Sequence, residues 1–399
     1  MRPTGRFKRT LVACALVVAT AAGTVGWASG EVQTAVTGPP PGTAAWTADR
    51  LLGRDLPDPA SATPARIARF FAGLTVRQRA ALAERHPLVV GDLDGVPTEL
   101  RYTANTRALT AERARELARA ADPEQSDGAR RQARSRAAAY DGLLAPGRHV
   151  LAFDPRGRGQ VAEVYGDLRT ARRVAVVVPG SDTDLASYDA VAVMARNLRA
   201  EMTRLAPADR PAVIAWVGYT TPVGVGYDAA TGHLAEEGAP RLLRFLDGLA
   251  ATTRPVTPPS VFCHSYGSVL CGAAAHRLTG RQVSDLVVAA SPGMRLDDAG
   301  QVPVGARARL WATARNPSDW IRRVPAVELF GLGHGADPSD PGFGARVVSS
   351  DGAEGHTGYF TPGTASLRNY ADIALGHYHS VTCADTVTDT TEDCRHGLR

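Results

Sequence analysis

Between residues 149 and 349 the chain repeats one motif: a short run of β-branched and apolar residues, then a helical pattern. The runs are at 149–153, 160–165, 174–178, 212–217, 260–264, 286–290, 308–312 and 346–349, and the helical patterns at 185–205, 233–249, 268–277 and 366–375. Most of the runs are apolar throughout instead of alternating, so both faces of each strand must be covered. Strands interleaved with helices predict an α/β fold with a mostly parallel, eight-stranded sheet. The first two runs are joined by a Gly/Pro/Asp turn, which predicts an antiparallel hairpin at one edge.

One junction carries more than architecture. The segment Val261-Phe262-Cys263-His264-Ser265-Tyr266-Gly267-Ser268-Val269-Leu270 is a buried strand that ends in a serine and turns at once into an Ala/Gly-rich helix. A hydroxyl can attack an acyl carbon only if it is exposed at the carboxyl edge of the sheet, which demands a sharp turn flanked by small residues. Gly267 takes the second glycine position of G-x-S-x-G, and Cys263 stands where the first glycine would be. In a fold with this layout the acid follows strand seven and the base follows strand eight. Asp319 is the first carboxylate after the seventh run and His356 lies in the loop after the eighth, so a Ser265-Asp319-His356 triad is expected. Val178-Pro179-Gly180-Ser181-Asp182 follows the third run, where one oxyanion N–H is needed. The Ser181 and Tyr266 N–H groups are the expected donors.

Other residues compete for these roles. His334 precedes strand eight and is expected at the rim, not as the base. Asp337 and Asp340 flank Pro338 and Pro341 as turn caps. His377 and His379 form an H-x-H pair without a carboxylate or cysteine partner at metal-binding spacing. His264 should point away from Ser265 and serve the structure. The sequence has no H-E-x-x-H zinc motif and no G-x-x-x-x-G-K-[ST] phosphate loop. No cofactor or metal is expected.

These residues resemble a family of actinobacterial α/β-hydrolases long catalogued as a domain of unknown function. The resemblance rests on His264-Ser265-Tyr266-Gly267-Ser268, Ala290-Ser291-Pro292-Gly293, His334-Gly335-Ala336-Asp337-Pro338, Phe343-Gly344-Ala345-Arg346 and His356 ahead of Tyr359-Phe360, and covers about residues 64–376. It implies the α/β-hydrolase fold and the same triad, and leaves the substrate open. The reading it supports is an exported serine hydrolase of small-molecule or lipid-like carboxylic esters. The alternatives are acyl transfer on the same fold and a catalytically silent binding module of the cell envelope.

Export is read from the amino terminus, where basic Arg2, Arg6, Lys8 and Arg9 precede an uncharged run from Leu11 to Ala28 and the small residues Ser29 and Gly30. Residues 1–30 are therefore expected to be a signal peptide or signal anchor, the only expected contact with a membrane, and the localisation secreted or cell-envelope. The formal net charge is +5; without those four cations it falls to about +1, which speaks against nucleic acid as a partner. Beyond the signal, 31–63 is expected as linker, 64–146 as a helical region walling the pocket, 147–376 as the core and 377–399 as a tail. Thr75 and Gln78 form a capping-box pattern in that helical region. The remaining cysteines suit an oxidising compartment. Cys383 with Cys394 is the expected tail disulfide, and Cys263 with Cys271 would staple the junction if bonded.

Overall fold

The computed structural model describes residues 32–302, 309–385 and 394–398. The expected signal segment lies outside the described residues. The central sheet is built from β1 (His149–Asp154), β2 (Gln160–Tyr165), β3 (Val174–Val178), β4 (Ala212–Val217), β5 (Ser260–His264), β6 (Asp285–Ala289) and β7 (Arg309–Thr313). A two-residue hairpin, β8 (Glu328–Leu329) with β9 (Leu332–Gly333), precedes the last strand β10 (Arg346–Val348). The sheet order is β1-β2-β4-β3-β5-β6-β7-β10. β1 and β2 pair antiparallel, as does β2 with β4, and every other pair is parallel. This is the expected α/β-hydrolase fold.

Alternating side chains along the uniformly apolar strands enter two separate cores. Val177, Phe262, Val287 and Trp311 join one cluster, with α7 (Asp189–Leu205) and α11 (Ala365–Leu375). Val176, Val261, Cys263 and Val288 join the other, with α9 (His233–Thr252) and α10 (Gly267–Ala275). Burial on both faces is what the continuous Val/Ala/Ile runs required. β5 sits between β3 and β6 in mid-sheet, with Val178 opposite Cys263 and His264 opposite Ala289. The serine that follows β5 therefore emerges at the centre of the carboxyl edge.

The amino-terminal region is helical: α1 (Thr43–Ala48), α2 (Pro64–Ala72), α3 (Val76–Arg85), α4 (Pro87–Asp92), α5 (Thr98–Ala121) and α6 (Asp127–Leu143). The Thr75–Gln78 capping box closes as expected. α1 falls inside the stretch expected as linker, and its Trp46 is fully buried with Ile67, Phe71 and Leu82 in a third core. The linker expectation is thus corrected from Thr43 onward, because the indole anchors that core and donates Nε1–H to the Pro57 carbonyl at 2.8 Å. Nearby, Asp49 accepts from Arg85 and meets His86 at 2.6 Å. The region docks on the sheet edge: Asn105 donates to the carbonyls of Gly91 and Val150, and Tyr102 stacks on His149 with ring centroids 4.9 Å apart. These contacts lie at β1, so the expectation that the helices wall the pocket finds no support in them.

The carboxyl-terminal tail returns to the sheet. Ser349 N–H donates to the Thr382 carbonyl and Ala384 N–H to the Val347 carbonyl, beside a Cys383–Cys394 disulfide. With a sequence separation of 11 between its cysteines, that bond removes entropy from the unfolded chain worth roughly 3 kcal/mol for a loop of this order. Cys394→Ser should lower the free energy of unfolding in denaturant titrations by about that amount. Unchanged stability would mean the tail is held by its β10 contacts alone.

Candidate active site

At the end of β5 the backbone of Ser265 enters the left-handed region, φ 55°. A serine tolerates that conformation only where its surroundings enforce it. Its N–H donates to the Ala289 carbonyl at 2.9 Å, and its carbonyl accepts from Ser268 N–H at 2.8 Å, so the chain reverses straight into α10. Two glycines make room. A Cβ on Gly267 would stand 2.7 Å from the Val178 carbonyl oxygen and 2.8 Å from that of Pro179. A Cβ on Gly180 would stand 2.6 Å from Ser265 Cβ and 2.9 Å from Tyr266 N. At the first glycine position, Cys263 is disulfide-bonded to Cys271 in the second turn of α10, with Cα atoms 6.5 Å apart.

The three residues expected as a triad are brought together. His356 Nε2 lies 2.8 Å from Ser265 Oγ, and its Nδ1 lies 2.8 Å from Asp319 Oδ1. With Asp319 ionised, Nδ1–H donates to the carboxylate and Nε2 is left to accept from the serine hydroxyl. Asp319 also accepts from Ile321 N–H at 2.9 Å and from the Tyr359 hydroxyl at 2.8 Å. Burial pushes its carboxyl up, but the hydrogen bonds from His356, Ile321 and Tyr359 outweigh it and keep it below the ordinary carboxylate range. The loops that carry Asp319 and His356 are laced together: Asn316 donates to the Gly355 carbonyl, and Gly355 N–H donates to Ser318 Oγ, both at 2.8 Å.

The Gly180–Ser181 turn lies against the elbow, as the Gly180 contacts show. Among the hydrogen bonds of the described residues neither Ser181 nor Tyr266 uses its backbone N–H as a donor. Tyr219 ties the turn down by donating to the Pro179 carbonyl at 2.8 Å. Asp182, also left-handed at φ 60°, donates its N–H to the Pro222 carbonyl.

The competing residues have other work. His334 is buried, not at the rim as expected; its Nε2 meets the Ala229 carbonyl at 2.7 Å and its ring packs edge-on against Tyr266. Asp337 caps Ser339, as expected, and also pairs with Arg315 at 2.9 Å. Asp340 caps Gly342. His377 Nδ1 is 3.7 Å from Asp372. No group of three His, Cys, Asp or Glu among the described residues is arranged to hold a metal.

Sequence reasoning missed two residues around the triad, Trp320 and Arg315, and read the third, His264, only as structural. His264 is buried, and its Nε2 meets the His356 carbonyl at 2.8 Å. A neutral ring donating there braces the backbone of His356. Trp320 lies over the His356 ring, centroids 4.5 Å apart, and remains partly exposed. Arg315 donates to the Ser291 carbonyl at 2.6 Å and so links the loops after β6 and β7. The position of Trp320 directly after Asp319 was a usable signal; the other two contacts depend on chain folding over long separations.

A family profile described as alpha/beta hydrolase matches residues 154–329. Among curated proteins, an uncharacterized Mycobacterium tuberculosis protein is 31% identical over 378 residues, covering 81% of this chain and 57% of its own length. An uncharacterized Mycobacterium bovis protein is 38% identical over 161 residues, covering 38% of this chain and 59% of its own. The chain thus spans little more than half the length of these relatives. Solved structures that the chain matches include the esterase domain of a Rhodothermus marinus protein, at 16% identity and TM-score 0.34, covering 59% of this chain and 98% of that one. Another is the 2,6-dihydroxy-pseudo-oxynicotine hydrolase, at 12% identity and TM-score 0.33, covering 85% and 92%.

The brace at His264 has a measurable consequence. Burial, then the neighbouring His356, lower its pKa to about 4 from the usual 6.5. The folded protein holds the ring neutral while the unfolded chain would protonate it, so stability falls as pH drops from about 6.5 towards 4. The full effect is on the order of 3 kcal/mol. His264→Asn should flatten the pH dependence of unfolding in that window. An unchanged slope would assign the acid sensitivity to other groups.

Proposed function

Residues 154–329 of this chain belong to the alpha/beta hydrolase family, and from that premise we propose that the protein is an exported serine hydrolase acting on carboxylic esters. The observation that carries the reading is the unbroken hydrogen-bonded path from Ser265 Oγ through His356 to Asp319, beginning at a left-handed serine.

In this reading His356 Nε2 takes the hydroxyl proton as Ser265 Oγ attacks the ester carbonyl, and Asp319 orients the ring and stabilises its charged form. The tetrahedral oxyanion is held by the backbone N–H groups of Ser181 and Tyr266, each worth roughly 2.7 to 4 kcal/mol. The imidazolium returns the proton to the departing alkoxide, leaving an acyl-serine. Water, deprotonated by His356, then attacks the acyl carbon, and Ser265 leaves with the proton. Tyr359, by donating to the far carboxylate oxygen, helps keep Asp319 ionised. Export is supported by the two disulfides, which form and persist in oxidising compartments. No helix among the described residues is long and apolar enough to cross a membrane.

A fluorophosphonate probe should label Ser265, identified by peptide mapping, and the label should vanish in Ser265→Ala. Against a graded series of esters, Ser265→Ala and His356→Ala should each lose roughly ten-thousandfold or more in kcat, because the triad acts as a unit. Asp319→Asn should lose less. A folded protein that neither labels nor turns over any ester would favour a silent binding module, and near-normal turnover by His356→Ala would remove the proposed base.

A further inference from the structure

The stretch between β7 and β10 runs from Asp319 to an apolar hairpin that the triad does not use. Its turn is Phe330-Gly331, with φ 53° and 80°. Left-handed geometry at both central residues of a two-residue hairpin loop favours Asn, Asp or Gly, and a bulky aromatic there is strained. Phe330 is nonetheless at the tip and 94% exposed. Val327, Leu329 and Leu332 beside it are also about half exposed, as are Val223 and Val225 and, opening the one-turn α8 (Tyr227–Ala230), Tyr227. Exposed apolar side chains in this number mark an interaction surface.

The hairpin is anchored near the catalytic edge. Arg295 pairs with Glu328 at 2.7 Å and donates to the Gly333 carbonyl at 3.2 Å. Leu332 bridges to Thr231, whose carbonyl accepts from the hydroxyl of Tyr266, the residue after Ser265. At the other end of the segment Trp320 lies on the His356 ring. Between them in the chain, Arg322 and Arg323 are exposed, and neither forms an ion pair among the described residues. Unpaired cations and exposed aromatic and aliphatic side chains carried on one short segment are the combination that binds the boundary of an anionic lipid layer.

We propose that this hairpin docks on an anionic lipid–water surface, with Phe330 inserted and Arg322 and Arg323 facing lipid head groups, so that the ester substrates are drawn from that surface. The identification of the substrate rests on the hydrolase reading; the docking does not. The test therefore measures docking without substrate, on the full chain, and scores hydrolysis of a water-soluble short-chain ester separately.

Hydrogen exchange is followed with phosphatidylcholine vesicles that contain or lack phosphatidylglycerol. Peptides covering residues 320–333 should gain protection on the anionic vesicles only, and lose it as salt is raised. In sedimentation, Phe330→Asp should weaken partitioning roughly tenfold, the scale for withdrawing one large apolar side chain. Aspartate suits the left-handed position better than phenylalanine, so the variant's thermal unfolding serves as a check that it is folded. Arg322→Glu with Arg323→Glu should remove the preference for anionic vesicles. Vesicle-bound protein whose residues 320–333 exchange as in free solution would overturn the proposal, as would absence of vesicle binding. Concentration-dependent dimerisation without lipid that Phe330→Asp abolishes would instead assign the face to a second copy of the chain. If docking is found while no ester is turned over, the hydrolase reading fails and the lipid surface stands.

Discussion

Ser265 is held at φ 55° by backbone hydrogen bonds on both sides, and most of what surrounds it follows from that conformation. A left-handed serine at the end of a central strand forces α10 to start at once, and α10 can only start there if Gly267 lets it rest on the Val178 and Pro179 carbonyls. The same close approach leaves no room for a side chain at residue 180. Two loops that are far apart in sequence are thereby pressed together, with the Gly180–Ser181 turn against the elbow. The strain is local, and the packing of the whole sheet sustains it.

Asp319 and His356 are positioned by a different means. They lie on loops tied together by polar contacts: Asn316 to Gly355, Gly355 to Ser318, Tyr359 and Ile321 to Asp319, His264 to His356. Arg315 joins this set to the loop after β6 through Ser291 and to Asp337. In a site this enclosed each tie is stronger than it would be in water, and each would be costly to leave unmade. The arrangement is accordingly cooperative, and altering one member should disturb His356 through its neighbours as well as directly.

How much of this could be read beforehand varied with the range of the interaction. Strands were legible to within a residue at most ends, because burial on both faces leaves a local signature in valine and alanine. β6 ends one residue earlier than expected, since Ala290 turns left-handed, φ 49°. The order of Ser265, Asp319 and His356 was legible because the fold dictates where each must fall. Trp46 was not, since a short helix in a Pro/Gly-rich stretch has no periodicity to betray it and is stabilised by a core formed elsewhere. The β8–β9 hairpin escaped because two-residue strands carry no alternation and because Phe330-Gly331 is an unusual sequence for its turn. The bracing role of His264 depends on a carbonyl 92 residues away, and strand alternation alone could show only that the ring turns from Ser265.

The first glycine position of the elbow is the clearest case of one physical requirement met by another residue. A glycine there serves close packing between strand and helix; Cys263 supplies a small side chain and then a covalent bond to Cys271, which fixes the distance that the glycine would merely permit. Both cysteines are essentially inaccessible, so exchange with external thiols requires α10 to move away from the sheet first. Bond and helix packing therefore protect each other: the helix shields the sulfurs, and the sulfurs hold the helix that begins at Ser265. This solution is open only to a chain that folds where disulfides can form, so the departure from the glycine pattern ties the geometry of the elbow to the compartment in which the protein matures.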